Sequence, residues 1–408
     1  MNHFQPDGFR SIDFEFHQST IKDLIKYRKR YYKNIPPYPT EQYKGKGIVI
    51  CAGGLRYFTC GWIAIKMLRM RGCGLPIELW HLGNEISTEI KAEMAKLGIT
   101  CKDLLDFGPT HLTGCMLKPA CIIKSAFKEV LFIDADNICI SDPEVLFSSP
   151  EYKEHGALFW PDYWQTAPEN PIWSITGTPF VNAKEQESGQ MLINKEKCWK
   201  ELNLTLHFNE LNTIYHQLLV GDKDTFRFAW MTLNTPFYMN PKEPTACGYS
   251  DAKNQFLGTT MVQHDLKGEY FFLHRNLLKW DVTKPNERTW TKLKEFSTDA
   301  RQKEYILKFS PNGHMYIDLA GQVEAFDPPS VITQIEDTCV QLLQELRSED
   351  FYHRFVAYSH FASYRYRKDT PFDLDADLAA GKRSSKAFDS KRSDYDALDG
   401  FAIQECTQ

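Results

Sequence analysis

From residue 46 onward, short β-rich runs alternate with stretches of helical period, and this alternation limits the possible folds more than any other feature. "KGIVICAGG" is a run of β-branched residues that ends in glycine, residues 57–71 carry apolar side chains at helical spacing, and "PIELWHLG" returns to strand character. A second helix is expected over about 86–97 and a third over about 116–126, leading into the strand "KEVLFI". Strands joined through helices pair in parallel, because a crossover returns the chain to the sheet in the same direction. The expected fold is therefore α/β with a mainly parallel central sheet, and sheets of this kind bind ligands outside the carboxyl ends of their strands.

The flanking sequence divides around that core. Residues 1–45 are expected to be an N-terminal helical arm, with a helix over 16–34 that stops before "NIPPYPT" because its prolines cannot continue a helix. Residues 46–285 form the expected catalytic domain. Residues 286–366 are expected to add a hairpin over 304–319, turning at Asn312-Gly313, and a pair of helices. Residues 367–408, rich in charge and poor in large apolar side chains, are expected to be a mobile tail.

Composition narrows the function classes. With 408 residues, 42% hydrophobic and 13% aromatic, the chain can bury a large core. A net charge of -5 and the absence of a dense Lys/Arg stripe argue against nucleic acid as a partner. The start of the sequence has neither a signal-peptide layout nor about 18 consecutive apolar residues. Eleven cysteines without C-x-x-C spacing favour free thiols, so a soluble, cytoplasmic protein is expected. Oligomeric state is not legible.

The chemistry concentrates at "FIDADN", where a buried run stops at Asp134-Ala135-Asp136. In an extended strand, side chains two apart point the same way, so Asp134 and Asp136 can face one point. Two ionised carboxylates that close repel unless a cation lies between them, and Mg2+ or Mn2+ takes oxygen ligands and shares them with phosphates. An acidic turn that caps the next segment is the plainer alternative. The tail offers a contrast: Asp373, Asp375 and Asp377 repeat the spacing in "FDLDADL" without a buried strand before them.

Five blocks in order, "GIVICAGGLRYFTCGWIAIKMLRMRGCGLPIELWHLG", "LKPACIIKSAFKEVLFIDADN", "ESGQMLINKEKCW", "GDKDTFRFAW" and "QHD", resemble the fungal Golgi α-mannosyltransferases that extend mannan side chains, together with their soluble relatives. Their order is also similar to that of glycogenin-like retaining glycosyltransferases. The resemblance implies a GT-A fold (Rossmann-like, of the nucleotide-diphospho-sugar transferase kind), a nucleotide-sugar donor, Mn2+ (or Mg2+), retention of anomeric configuration, and a glycan or other hydroxyl acceptor. The membrane anchor and stem of the fungal enzymes have no counterpart in the sequence, which leaves the mannan acceptor open.

Carried residue by residue, the resemblance makes Asp134 and Asp136 the metal and donor pair and His264 of "QHD" the third ligand. Lys118, sixteen residues before Asp134, would neutralise the departing diphosphate. Ala52-Gly53-Gly54 follows a strand and allows close approach of backbone to the nucleotide. Ser188, Gly189 and Gln190 of "ESGQ" and Asp222 of "GDKD" would line the donor sugar. The residues alone leave turn and helix caps open for Ser188 and Asp222. Glu187, Asp222 and Asp224 are the candidate groups facing the anomeric carbon. Trp160, Tyr163, Trp164 and Trp173 are rings that could stack on an acceptor sugar or pack in the core.

Mannose from GDP-mannose is the favoured donor, with a UDP-sugar as the alternative. Two further readings compete: a phosphatase of the haloacid dehalogenase type with Asp134 as nucleophile, and a non-catalytic sugar-nucleotide binder on the same fold.

Overall fold

A computed structural model describes residues 2–309 and 314–366. The expected turn at Asn312-Gly313, the tail from 367 and its Asp373, Asp375 and Asp377 lie outside the described residues.

The first sheet has seven strands in the order Tyr238–Met239, Ala157–Pro161, Gln186–Asn194, Glu129–Ile133, Lys46–Cys51, Ile77–His81, Ile99–Asp103. The last four are mutually parallel. Gln186–Asn194 runs antiparallel to both of its neighbours. Helices Gly54–Met70, Thr88–Lys96 and Leu117–Lys124 make the crossovers, each within a few residues of its expected span. The α/β expectation is thus met by a mainly parallel central sheet.

Burial explains why these runs are nearly all apolar. Ile48, Ile50, Leu131 and Ile133 enter one hydrophobic cluster, while Val49, Val130 and Phe132 enter the cluster on the opposite face. Successive side chains alternate between two covered faces, so both faces select apolar residues. Full burial of each such side chain contributes roughly 1.5–3 kcal/mol. The apolar run ends at Asp134, whose side chain is partly exposed.

The second sheet is antiparallel and joins Lys303–Phe309, Met315–Gly321, Phe256–His264, Thr245–Ser250, Lys292–Phe296 and Val323–Phe326. Lys292–Phe296 pairs with Thr245–Ser250, so the ladder crosses the expected boundary at 285 without interruption. The strand Tyr270–His274 pairs with Phe256–His264 and also with Asn137–Cys139, a short strand directly after the aspartate pair. That strand stitches the two sheets together beside the carboxylates. Helices Ser330–Ser348 and Asp350–Tyr366 pack against Gly54–Met70, with Phe355 edge-on to Phe58 and the Tyr352 hydroxyl 2.7 Å from that of Thr59.

The N-terminal arm differs from expectation. The helix is present as Gln18–Lys33, but it is preceded by a hairpin of Asn2–Phe4 and Phe9–Ile12 whose second strand runs parallel to Gln165–Thr166. The signal is long-range: Arg10 is fully buried, and its Nε donates to Glu185 Oε1 at 2.8 Å across 175 residues. Among the described residues, no helix is long and apolar enough to cross a membrane.

Candidate active site

The carboxyl end of Glu129–Ile133 builds the site from its backbone outward. The Asp134 N–H donates to Gly189 O at 2.9 Å, and the Asn137 N–H donates to Asp134 O at 3.0 Å, closing a turn that presents both aspartates. Asn137–Cys139 then pairs with Tyr270–His274, setting His274 opposite Asn137, and the Arg275 N–H donates to Asp136 O at 3.0 Å. This ladder delivers an imidazole to the carboxylates. His274 Nε2 lies 3.2 Å from Asp136 Oδ1 and 3.7 Å from Asp134 Oδ2, and Nδ1 lies 3.5 Å from Glu187 Oε1. Gly189 makes room for the ring: a Cβ there would stand 2.4 Å from His274 Nδ1.

Two lysines complete the charge pattern. Lys118, at the start of its helix, donates to Asp134 Oδ2 and to Ser188 Oγ, both at 2.9 Å, and lies 3.4 Å from Asp222 Oδ2. Ser188 Oγ in turn donates to Asp222 Oδ2 at 3.0 Å. Lys279, five residues after His274, is paired with Asp136 Oδ2.

Burial pushes the Asp134 carboxyl up, against the pull of Lys118. Burial acts on Asp136 too, but Lys279 and His274 outweigh it and hold that carboxyl well below the usual range. On Lys118, burial is outweighed by Asp134 and Asp222, which raise the ammonium pKa well above its ordinary value. The His274 imidazole is likewise raised, because Asp136, Glu187 and Asp134 overcome its burial. The two lysines are thus held as ammonium ions by carboxylates.

The donor set suits a divalent cation. Ligand atoms of Asp134, Glu187 and His274 lie within 4.8 Å of one another, with Asp136 touching the same imidazole. His274 Nδ1 has no hydrogen-bond partner although it is buried, which leaves a ring nitrogen aimed at carboxylate oxygen. Carboxylates with one imidazole fit Mg2+ or Mn2+ better than a soft metal.

The cluster opens into a cavity of about 340 Å³. Of the residues expected from sequence, Gly53, Lys118, Asp134, Ala135, Asp136, Glu187, Ser188 and Asp222 line it. A larger concavity of about 500 Å³ on the second sheet is lined by Lys292, Lys294, Lys308 and Asp318, but no imidazole or carboxylate cluster converges there.

Other expected residues are placed elsewhere. His264 does not reach the pair: it stands opposite Tyr270, three residues along its strand from Met261, the partner of His274. That is roughly 10 Å at the rise of a strand. Its ring packs against Tyr270, and burial pushes its pKa down to about 4. His274 lies beside the aspartates instead. Asp224 is also turned away, with its carboxylate bound by Arg227 at 2.7 and 2.8 Å and accepting the Gln186 N–H at 2.9 Å. One turn of helix brings Arg227 over it, so the carboxylate is fully occupied below the cavity.

Gln190 braces the aspartate turn by accepting from Asn137 Nδ2 at 2.7 Å. Gly189 lies behind His274, Ala52 is buried against Gly61, and Gly54, at φ +71°, turns the chain from strand into helix. Trp160, Tyr163, Trp164 and Trp173 are all buried; the polar atoms of Trp160, Tyr163 and Trp173 bond to backbone carbonyls, and Trp164 packs against Phe4. They are core residues.

Sequence reasoning missed His274, Lys279 and Glu85, all in the cavity wall. The available signal was "FLHRNLLKW", where an apolar strand stops at a histidine much as "FIDAD" stops at an aspartate.

A family model for mannosyltransferases, Mannosyl_trans3, matches residues 45–180 and 179–265. The chain is 25% identical over 293 residues to the α-1,2-mannosyltransferase MNN5 of Saccharomyces cerevisiae, covering 56% of this chain and 50% of that protein. It is 29% identical over 320 residues to the α-1,2-mannosyltransferase MNN21 of Candida albicans, covering 62% and 48%. The chain spans about half the length of the curated relatives it matches. Among solved structures, the galactosyltransferase LgtC with donor and acceptor sugar analogs overlaps 47% of this chain and 73% of its own at a TM-score of 0.33 and 15% identity. Mouse xyloside xylosyltransferase 1 overlaps 48% and 85% at 0.32 and 15%. Overlaps this partial transfer no residue from those proteins to this one.

Proposed function

Since the chain belongs to the Mannosyl_trans3 family of mannosyltransferases, we propose that it moves a hexose, mannose from GDP-mannose, onto a hydroxyl of a glycan with retention of configuration. The observation that carries this reading is the convergence of Asp134, Asp136, Glu187 and His274 with Lys118 and Lys279 at the carboxyl end of a parallel strand. In this reading Asp134, Asp136 and His274 hold Mn2+ or Mg2+. Such an ion, when bound, supplies charge stabilisation on the leaving diphosphate.

The chain's own residues divide the remaining work. Lys118 and Lys279 are held as ammonium ions at the mouth of the carboxylate cluster, where an incoming diphosphate can exchange places with their present partners. Asp222, fixed by Ser188 Oγ, is placed to accept from sugar hydroxyls. Glu187, pushed up by burial despite His274, is the carboxyl left to face the anomeric centre, as nucleophile or as stabiliser of positive charge there. None of the ten described cysteines is joined in a disulfide, which is compatible with the reducing, cytoplasmic setting that is part of the same proposal.

The test is hydrolysis of GDP-mannose without acceptor. Slow release of mannose that requires Mn2+ and vanishes in a folded Asp136→Ala variant is expected. Full turnover by that variant would remove the carboxylate cluster from the chemistry.

A further inference from the structure

Glu85 is a cavity residue to which the reading above gives no role. Glu85 ends the short turn Gly83–Glu85 that follows the strand Ile77–His81. Its Oε2 accepts the Leu82 N–H at 2.8 Å, while Oε1 has no hydrogen bond and the carboxylate no ion pair among the described residues. The side chain lies across Gly53: a Cβ on that residue would stand 1.9 Å from Oε2. A missing side chain at 53 therefore lets Glu85 reach the cavity wall. Burial pushes its carboxyl up to about 7, the state of a carboxylate short of donors.

Its place in the fold suggests what the donors are. In sheet order, Lys46–Cys51 separates Glu129–Ile133, which ends at Asp134, from Ile77–His81, which leads to Glu85. Two strand spacings are roughly 10 Å. That is the scale of the gap a ribose bridges between a diphosphate and its base. We propose that Glu85 reads the base of the donor nucleotide and selects guanine, by accepting N1–H and the 2-amino group together. This rests on the nucleotide-sugar reading above and adds the residue that distinguishes one base from another.

The chemistry of the base edges makes the selection. Guanine presents two adjacent donors at the spacing of a carboxylate's oxygens. Uracil presents one N–H flanked by two carbonyl oxygens, which a carboxylate repels. Adenine and cytosine each set one amino group beside a bare ring nitrogen. A carboxylate keeps lone pairs enough to retain the Leu82 N–H and still accept two more bonds. A good bidentate pair of this kind separates right from wrong base by roughly tenfold to hundredfold.

Calorimetric titration of the full chain with GDP, UDP and inosine 5′-diphosphate in Mn2+ tests this. GDP should bind at least tenfold tighter than UDP, and inosine diphosphate, which lacks the 2-amino group, should fall between them. Glu85→Gln, with one acceptor replaced by a donor, should weaken GDP and bring its affinity to within a few-fold of that for UDP. Equal affinities in the unaltered protein, or an unchanged preference in a folded Glu85→Gln, would overturn the assignment while leaving nucleotide binding intact. Binding of none of the three would remove the proposed function and this inference with it. Because the inosine comparison needs no variant, the outcome stands even if Glu85→Gln fails to fold.

Discussion

Two histidines on neighbouring strands show how finely the site is specified at the scale of the residue. His264 and His274 are both buried, yet their environments shift them in opposite directions: burial, with Lys242, depresses His264 to about 4 against the pull of Asp265, while three carboxylates overcome burial and raise His274. His274 is the ring with nitrogens 3.2 to 3.7 Å from oxygens of Asp136, Glu187 and Asp134, where a shared cation would sit. His274→Ala should therefore weaken Mn2+ binding roughly 10–100-fold or more, the range seen when even outer partners of a metal are removed. His264→Ala should leave Mn2+ affinity unchanged. Electron paramagnetic resonance of free Mn2+ during titration measures both, and equal losses would mean that neither ring is a ligand. Asp134 and Asp136 stood out because they sit on a local pattern, the end of a buried strand, while the role expected of Lys118 came with the family resemblance. His274 was not legible, because a ladder between residues 137 and 274 places it, and no short window of sequence contains both.

Elements determine whether that ladder closes. Gln186–Asn194 is antiparallel to Glu129–Ile133 and sends Gly189 beneath the aspartate turn, where its carbonyl holds both the Asp134 N–H and Asn137 Nδ2. A side chain at 189 would collide with His274, while the backbone there is ordinary for any residue. Gly189→Ala should thus tilt the imidazole rather than unfold the strand. The expected cost is about 1–3 kcal/mol of overpacking, seen as a lower melting temperature, together with weaker Mn2+ binding. A variant that melts lower but binds Mn2+ normally would show that the ring position is not what Gly189 protects. The helices and parallel strands were readable since periodicity and propensity act locally. Trp199–Glu210 went unread because it holds polar and apolar residues together inside the fold, with Glu201, His207 and Asn209 buried among the apolar ones.

At the scale of the whole molecule, a part outside the family match supports the site from below. Arg10 lies outside residues 45–265, yet it is fully buried and donates to Glu185 Oε1 at 2.8 Å, to Leu218 O at 2.8 Å and to Asn2 Oδ1 at 2.6 Å. Glu185 also receives Lys223 Nζ at 3.0 Å, and Lys223 pairs with Asp162 and lines the cavity next to Asp222. Arg10 and Lys223 together hold the Glu185 carboxyl well below its usual range, overcoming its burial. The first strands are therefore joined by charge to the sugar side of the cavity, although "NHFQPDGFRSI" carries no periodic pattern that could announce it. Removing one partner of a buried ion pair costs about 3–5 kcal/mol because the other charge stays buried. Arg10→Met should lower the melting temperature by an amount matching that loss, and Arg10→Lys, which restores charge but not the planar fork, should recover only part of it. Because Glu185 would then hold Lys223 alone, the loop at Asp222 should loosen, and amide exchange at 221–225 should quicken even well below the melting transition. A melting temperature left unchanged by Arg10→Met would mean that the hairpin rests on the fold without bracing it.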